Sequence, residues 1–395
     1  MIKTNIYLKG CRHSSFTGEF TFFKSNSKIK FVHSIIKYPN WKRDIDLFKF
    51  LSTSSLIHLK KTPHVFFLFD ASTEGFDPFE YYFFDNLYYN CKKYGISPRK
   101  IVFVSSNLKD EENIISYNLL KGIKESINVF SFLSFRKAVR DLYEDRINLQ
   151  SEKNLTRCIK KTKRFYKNYF LSLSRAIRPH RTMAQYLLYE NNIDKYAILS
   201  HDKLSKRDSY GTCQNYNLDQ KKFMEWTNNL PLIADTEDFE TNHALRLHED
   251  LYHSSLFHIV NETHVDDFNN RSLFYSEKTF RPMIHLQPFL IFGQPFCNQK
   301  LQDYGFEIYD DYFDYSFDEE LDTKKRYLKI IEAVKKTVTY LDSLNKFQRI
   351  NWRYKNQEKL LHNFNLVMDY NLEKEKFNDV ITQLEKISDD FAISK

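Results

Sequence analysis

Short apolar runs alternate with longer amphipathic stretches along most of this chain, and that alternation constrains the fold more than any other feature. "FVHSIIKY" (31–38), "PHVFFLFDAS" (63–72), "RKIVFVSSN" (99–107) and "SINVFSFLSF" (126–135) have the length and the β-branched and aromatic content of strands. Between them lie helix-like segments: 77–95 with its aromatic stripe and terminal Gly95, then "EENIISYNLLKGIKE", then "RKAVRDLYEDRI" after the fourth strand. The strand-like runs are rich in Val, Ile and Phe. Strands of that kind are buried on both faces, as in a parallel sheet covered by helices.

The pattern restarts after a basic stretch. "YFLSLSR" (169–175), "YAILSH" (196–201), "LPLIADT" (230–236), "SSLFHIVNET" (254–263), "PFLIFG" (288–293) and "YGFEIYDDYFD" (304–314) are the strand candidates of this second half. A helix opening at Pro179 follows the first of them, with proline suited to a first turn. From about Leu321 the sequence reads as helical. The expectation is an α/β protein of two Rossmann-like lobes, residues 1–150 and 169–320. A basic linker, 151–168, joins them, and a helical tail, 321–395, packs across them. With 395 residues the chain exceeds one ordinary core, which agrees with two lobes. Ligands of open α/β sheets bind at the carboxyl ends of the strands, and the cleft between two lobes is the default site.

Bulk properties narrow the function classes. A net charge of +8 permits a nucleotide, an anionic glycan or a nucleic acid as partner. Much of it is local: "SEKNLTRCIKKTKRFYKN" (151–168) is strongly basic, either a solvated helix face or a patch attracting phosphate. The five cysteines show no zinc spacing and no disulfide framework. The N-terminus lacks a signal-type apolar core, and the longest apolar runs fall well short of a membrane span. A cytoplasmic setting is expected. Glycine is scarce, 8 residues where roughly 28 are usual, while Lys, Asn, Ile, Phe and Tyr abound. That bias points to AT-rich coding, as in a virus or low-GC microbe, and it leaves no glycine-rich phosphate loop.

Candidate site residues sit where strands end. After "FLSLS" come Arg175, Arg178, His180 and Arg181, at the start of a helix. Cations at a helix N-terminus oppose its dipole unless an anion is bound. Helix N–H groups and arginine forks together make a phosphate site without glycine. In the stretch "SLFYSEKTFRPMIHLQPFLIFG" (272–293), which follows Glu262, Ser276 is placed to cap a helix. Lys278, with Thr279 and Arg281, then reaches toward an anion, and the Glu277 carboxylate can accept two ribose hydroxyls. In the N-terminal half, Asp70 and Glu74 follow a buried strand and are candidates for a general base, or for a cap of the next helix. Asn107 is a further polar strand-end residue, and Asp235, Asp310 and Asp311 read as caps or turn residues.

Together, "LSRAIRPHRTMAQYLLYENNIDKYAILSH" and "FHIVNET…LFYSEKTFRPMIHLQPFLIFG" resemble the donor half of GT-B-fold nucleotide-sugar glycosyltransferases, in particular the α1,3-fucosyltransferase and exostosin-like group. The likeness covers roughly residues 166–320, and the N-terminal half matches only in general layout. It implies that Arg175, Arg178 or Arg181 and Lys278 bind a diphosphate, and that Glu277 binds ribose. It further implies a metal-independent transfer of sugar to a hydroxyl of a glycan or other acceptor, with no cofactor beyond the nucleotide-sugar co-substrate. The N-terminal lobe would hold the acceptor. That group has small residues after its Glu-Lys pair, where this chain has Phe280, Pro282, His285 and Gln287. His285 and Gln287 therefore mark an expected difference in sugar preference. A metal-dependent transferase would need an Asp-x-Asp at a strand end, and Asp44 and Asp46 follow no strand-like run. The alternative class is a nucleic-acid-binding protein using the basic segment, or a transferase that glycosylates modified DNA.

Overall fold

The computed structural model describes residues 27–34, 43–49, 51–72, 75, 77–144, 150–234, 249–266 and 270–393. In chain order the elements are β1 (Lys30–Ser34), α1 (Thr53–Lys61), β2 (Val65–Ala71), α2 (Phe83–Tyr94), β3 (Ile101–Ser105), α3 (Asp110–Lys121), β4 (Asn128–Ser131), α4 (Ser134–Tyr143) and α5 (Ser151–Phe165). They continue with β5 (Asn168–Leu173), α6 (Pro179–Glu190), β6 (Ala197–Ser200), α7 (Lys206–Asn215), α8 (Gln220–Thr227), α9 (Glu249–His253), β7 (Ser255–Asn261), α10 (Glu277–Ile284), β8 (Phe289–Phe292) and α11 (Cys297–Asp303). Four helices close the chain: α12 (Thr323–Asp342), α13 (Lys346–Arg353), α14 (Gln357–Met368) and α15 (Asn371–Ile393).

The chain divides into two compact units. One comprises Met1–Ser134, Asp267–Phe274 and Tyr370–Lys395, and the other Phe135–Asp266 and Tyr275–Asp369. Each holds a four-stranded, wholly parallel sheet, β1-β2-β3-β4 in the first and β6-β5-β7-β8 in the second. The expected α/β class with a parallel sheet in each half is what the protein has. The segment 151–168 contains α5, in the second unit. The helical region after Leu321 is shared out: α12 to α14 belong to the second unit and α15 to the first.

In the first unit, successive residues of β2 serve opposite faces, as strand geometry requires. Phe67 and Phe69 pack with Phe103 against Leu59 of α1 and Phe83, Phe84 and Leu87 of α2. Phe66 and Leu68 turn the other way and pack with Val102, Val104 and Phe130 against Phe377, Val380, Ile381 and Leu384 of α15. This double burial is why the central strands β2 and β3 are apolar along nearly their whole length. Gly95 ends α2 in the left-handed region, φ 60°, where glycine carries no steric penalty.

Two strand expectations fail. "LPLIADT" contributes only an antiparallel bridge, Leu232 to His201, and its Asp235 lies outside the described residues. "YGFEIYDDYFD" forms no strand; its aromatic residues fill core positions from turns, with Tyr309 edge-on to Phe289 of β8. Asp310 and Asp311 consequently end no strand, and both face Lys359. Asp46 accepts hydrogen bonds from Tyr94 and Lys93, a local structural role.

Candidate functional site

The second sheet has a topological switch point. Its order β6-β5-β7-β8 means that the chain leaves β5 toward β6 on one side and then returns past β5 to form β7 on the other. At the carboxyl ends of β5 and β7 the following connections diverge, which is where open α/β sheets take their ligands. Small polar side chains tie the two strand ends together. Asn261 Nδ2, on the last residue of β7, donates to Ser172 Oγ and Ser174 Oγ at 2.8 Å each.

Glu262, buried immediately after β7, organises both helix starts at this end of the sheet. Its Oε1 accepts from the Ser276 backbone N–H (3.0 Å) and from Thr279 Oγ1 (2.6 Å). Its Oε2 accepts from Ser276 Oγ (2.6 Å) and from the Thr263 N–H (2.9 Å). Ser276 in turn caps α10, accepting from the Lys278 N–H. The Glu262 carbonyl oxygen is approached by His180 Nε2 at 3.1 Å and accepts from Arg181 Nη2 at 3.3 Å, which holds the start of α6. Glu262, Ser276 and Thr279 are therefore engaged with one another, and their work is to position the turn.

The charged groups held by this frame are Arg178, Arg181, Lys278 and Glu277. Arg178 is the exposed residue preceding α6, a helix without a side-chain cap, and half-buried Arg175 lies just past β5. Burial, with the Arg178 charge beside it, pushes the Arg181 guanidinium down to about 10. Burial also lowers Lys278, against the pull of Glu277, while nearby Arg181 lowers it further. His264, which no sequence signal singled out, is held neutral by burial and by Arg178, Arg181 and Lys278, its pKa down to about 4. His180 falls to about 3 through burial and Arg181. Cations crowded together in this way raise each other's energy until an anion arrives.

Glu277 supplies the complementary group. Burial pushes its carboxyl up, but Lys278 and Arg281 outweigh burial and hold it below the usual carboxylate range. Lys278 Nζ lies 2.8 Å from Glu277 Oε1 and keeps 25% of its side-chain surface exposed. Arg281 sits one turn further along α10. Burial lowers it, but Tyr252 and Glu277 offset that, so its place is behind Glu277 as a counter-charge. Chemically, the arrangement offers a multi-cation anion site with an ionised carboxylate beside it, which suits a diphosphate joined to a diol.

Other sequence candidates lie elsewhere. Asp70 is at the end of β2 in the first unit, where its Oδ1 accepts from the Ser72 N–H at 2.9 Å. Glu74 lies outside the described residues. Asn107 is fully buried and ties the end of β3 to the segment 271–273, donating to the Arg271 carbonyl and accepting from the Leu273 N–H. His285 and Gln287, the residues expected to mark a difference in sugar preference, lie past the end of α10 opposite Glu277. Both are buried, and the Gln287 amide donates to Ser255 Oγ and to the Ser255 and Tyr252 carbonyls. An eight-residue helix spans about 12 Å, which is why residues that look adjacent in sequence are held apart. In the basic segment, Arg157 and Lys161 are paired with Glu249.

No family model matches this chain, and no curated protein matches it. Among solved structures, it is similar to an alpha,alpha-trehalose-phosphate synthase (UDP-forming) from Burkholderia vietnamiensis, with 10% identity and a TM-score of 0.38 over 83% of this chain and 67% of that one. It is also similar to an alpha,alpha-trehalose 6-phosphate synthase from Burkholderia multivorans, with 10% identity and a TM-score of 0.38 over 84% of this chain and 66% of that one. The alignments thus span about two thirds of those proteins. At that identity and score, neither activity nor residue roles carry across.

Proposed function

We propose that this protein is a glycosyltransferase of the GT-B type, which takes a nucleotide-diphosphate sugar at the carboxyl ends of β5 and β7. The observation that carries the reading is the meeting of Arg178, Arg181 and Lys278 with ionised Glu277 at a topological switch point. Arg181 and Lys278, with Arg178 and Arg175 from the solvent side, bind the diphosphate. Glu277 accepts the ribose hydroxyls. As the glycosidic bond breaks, negative charge grows on the departing diphosphate. Fixed cations and the open N-terminus of α6 stabilise it there, so the step needs no metal. A general base, for which Asp70 and Glu74 are the sequence candidates, takes the proton of the acceptor hydroxyl. The acceptor is a glycan or another hydroxyl-bearing molecule.

The test is a thermal-shift panel of UDP, GDP, CMP, ADP and TDP on the full chain. At 100 times its dissociation constant, the cognate nucleotide adds about 2.7 kcal/mol of stability. At the same nucleotide concentration, Lys278→Ala and Arg181→Ala are each expected to cut the shift to about half or less. If no nucleotide stabilises the native chain, the donor-site reading fails.

A further inference from the structure

Glu249, His253 and His285 cluster in the second unit at the end of α10 opposite Glu277. One ligand-type atom from each lies within 4.8 Å of the other two, and Glu249 Oε1 is 3.6 Å from His253 Nε2. Both imidazoles are fully buried, at 0% exposure. Among the described residues, neither ring nitrogen of either histidine has a hydrogen-bond partner. A neutral imidazole carries one donor and one acceptor, so four buried polar atoms stand unmet. Buried polar atoms nearly always have partners, and a convergent set that lacks them marks a place for an ion or a water.

The surroundings favour an ion. Neighbouring ligand atoms of a tetrahedral zinc stand about 3.3 Å apart, close to the Glu249–His253 separation. The rings are fixed from outside. Tyr252 stacks on His285 with centroids 4.4 Å apart, Tyr143 meets it edge-on, and Arg353 Nη2 donates to the His285 carbonyl at 2.7 Å. Arg157 Nη1 and Lys161 Nζ reach the two Glu249 oxygens at 2.5 and 2.7 Å. Each carboxylate oxygen has two lone-pair directions, so these cations can orient Glu249 from outside while it ligates. Because they also offset its charge, the site suits a metal bound mainly through nitrogen, not calcium or magnesium.

We propose that Glu249, His253 and His285 hold a transition-metal ion of the zinc type, which fastens the short helix α9 to the end of α10. The role is structural and is independent of the sugar-transfer reading. An isolated five-residue helix is not stable in water, and an ion bonded to both of its ends and to His285 would hold it.

The full chain is stripped with a chelator and titrated with Co2+, read by its visible absorption, and with Zn2+, read by calorimetry and Tm. One equivalent of each is expected to bind, with Zn2+ raising Tm. His253→Gln and His285→Gln should each weaken Zn2+ binding at least about tenfold and suppress the rise in Tm. Glu249 is part-exposed, so Glu249→Gln keeps the test valid should the histidine variants fail to fold, and it too should weaken binding. No cobalt absorption and no zinc-dependent rise in the native chain would mean a water-filled cluster and would overturn the inference. Binding that persists undiminished in Glu249→Gln would overturn it as well.

Discussion

Glu262 secures two helix starts with one side chain and one carbonyl, so its loss should act on folding and binding together. Glu262→Ala leaves Ser276, Thr279 and the Thr263 N–H without their acceptor. Unmet buried groups cost about 1–3 kcal/mol each, so denaturant unfolding should register a loss of several kcal/mol. Lys278→Ala and Arg181→Ala should instead separate the two effects. Charge-assisted hydrogen bonds contribute about 1.5–3 kcal/mol, so nucleotide affinity should fall roughly tenfold or more by calorimetry, with a modest change in Tm. Acid adds a third probe. His264 and His180 keep their protons off down to about 4 and about 3 in the folded state, against roughly 6.5 when unfolded. Between those values the unfolded chain binds more protons, so stability is present above pH 6.5 and is lost as pH falls toward 4. The slope is about 1.4 kcal/mol per pH unit for each imidazole. His264→Gln should flatten the stability–pH curve in that window. Asp110 behaves oppositely. Burial raises its carboxyl to about 8, so it costs stability as pH rises from about 4 to 8. Asp110→Asn should therefore gain on the native chain between pH 6 and pH 9 in urea unfolding.

Among the elements, α15 covers one whole face of the first sheet. Its buried residues Phe377, Val380, Ile381 and Leu384 recur every three or four positions, the spacing of a single helix stripe. Leu384→Ala should cost about 2–5 kcal/mol and Phe377→Ala about 3–5 kcal/mol, measured by chemical denaturation. These helices were legible because their stripes have a period that packing does not alter. "LPLIADT" and "YGFEIYDDYFD" were not, because a short apolar run reads alike whether it joins a ladder or fills a core from a turn. Tyr309, Tyr312 and Phe313 are all buried with no strand around them. At the site, the paired cationic helix starts were readable from residue type and position. Asn261 and His264 were missed, since a polar residue at the end of an apolar run looks like an ordinary strand terminus.

For the whole molecule, membership in a unit does not follow the order of the chain. The first unit draws on three segments, Met1–Ser134, Asp267–Phe274 and Tyr370–Lys395. A fragment of residues 1–150 would expose Phe66, Leu68, Val102 and Val104, which α15 otherwise covers. Such a fragment is expected to aggregate, whereas supplying α15 as a fused segment should recover solubility. Both can be followed by size-exclusion chromatography.

By itself, the sequence determined the parallel α/β class, most of the strands and the two charged strand-to-helix turns. Those features depend on local composition and periodicity, which the chain carries wherever it goes. Only the tertiary structure decided that β5 and β7 are neighbours and that their ends form a switch point. It alone brought Arg181 and Lys278 to one place and sent His285 to the far end of α10, beside Glu249 and His253. Strand order and side-chain convergence arise from long-range burial of apolar faces, and many orders share one local pattern.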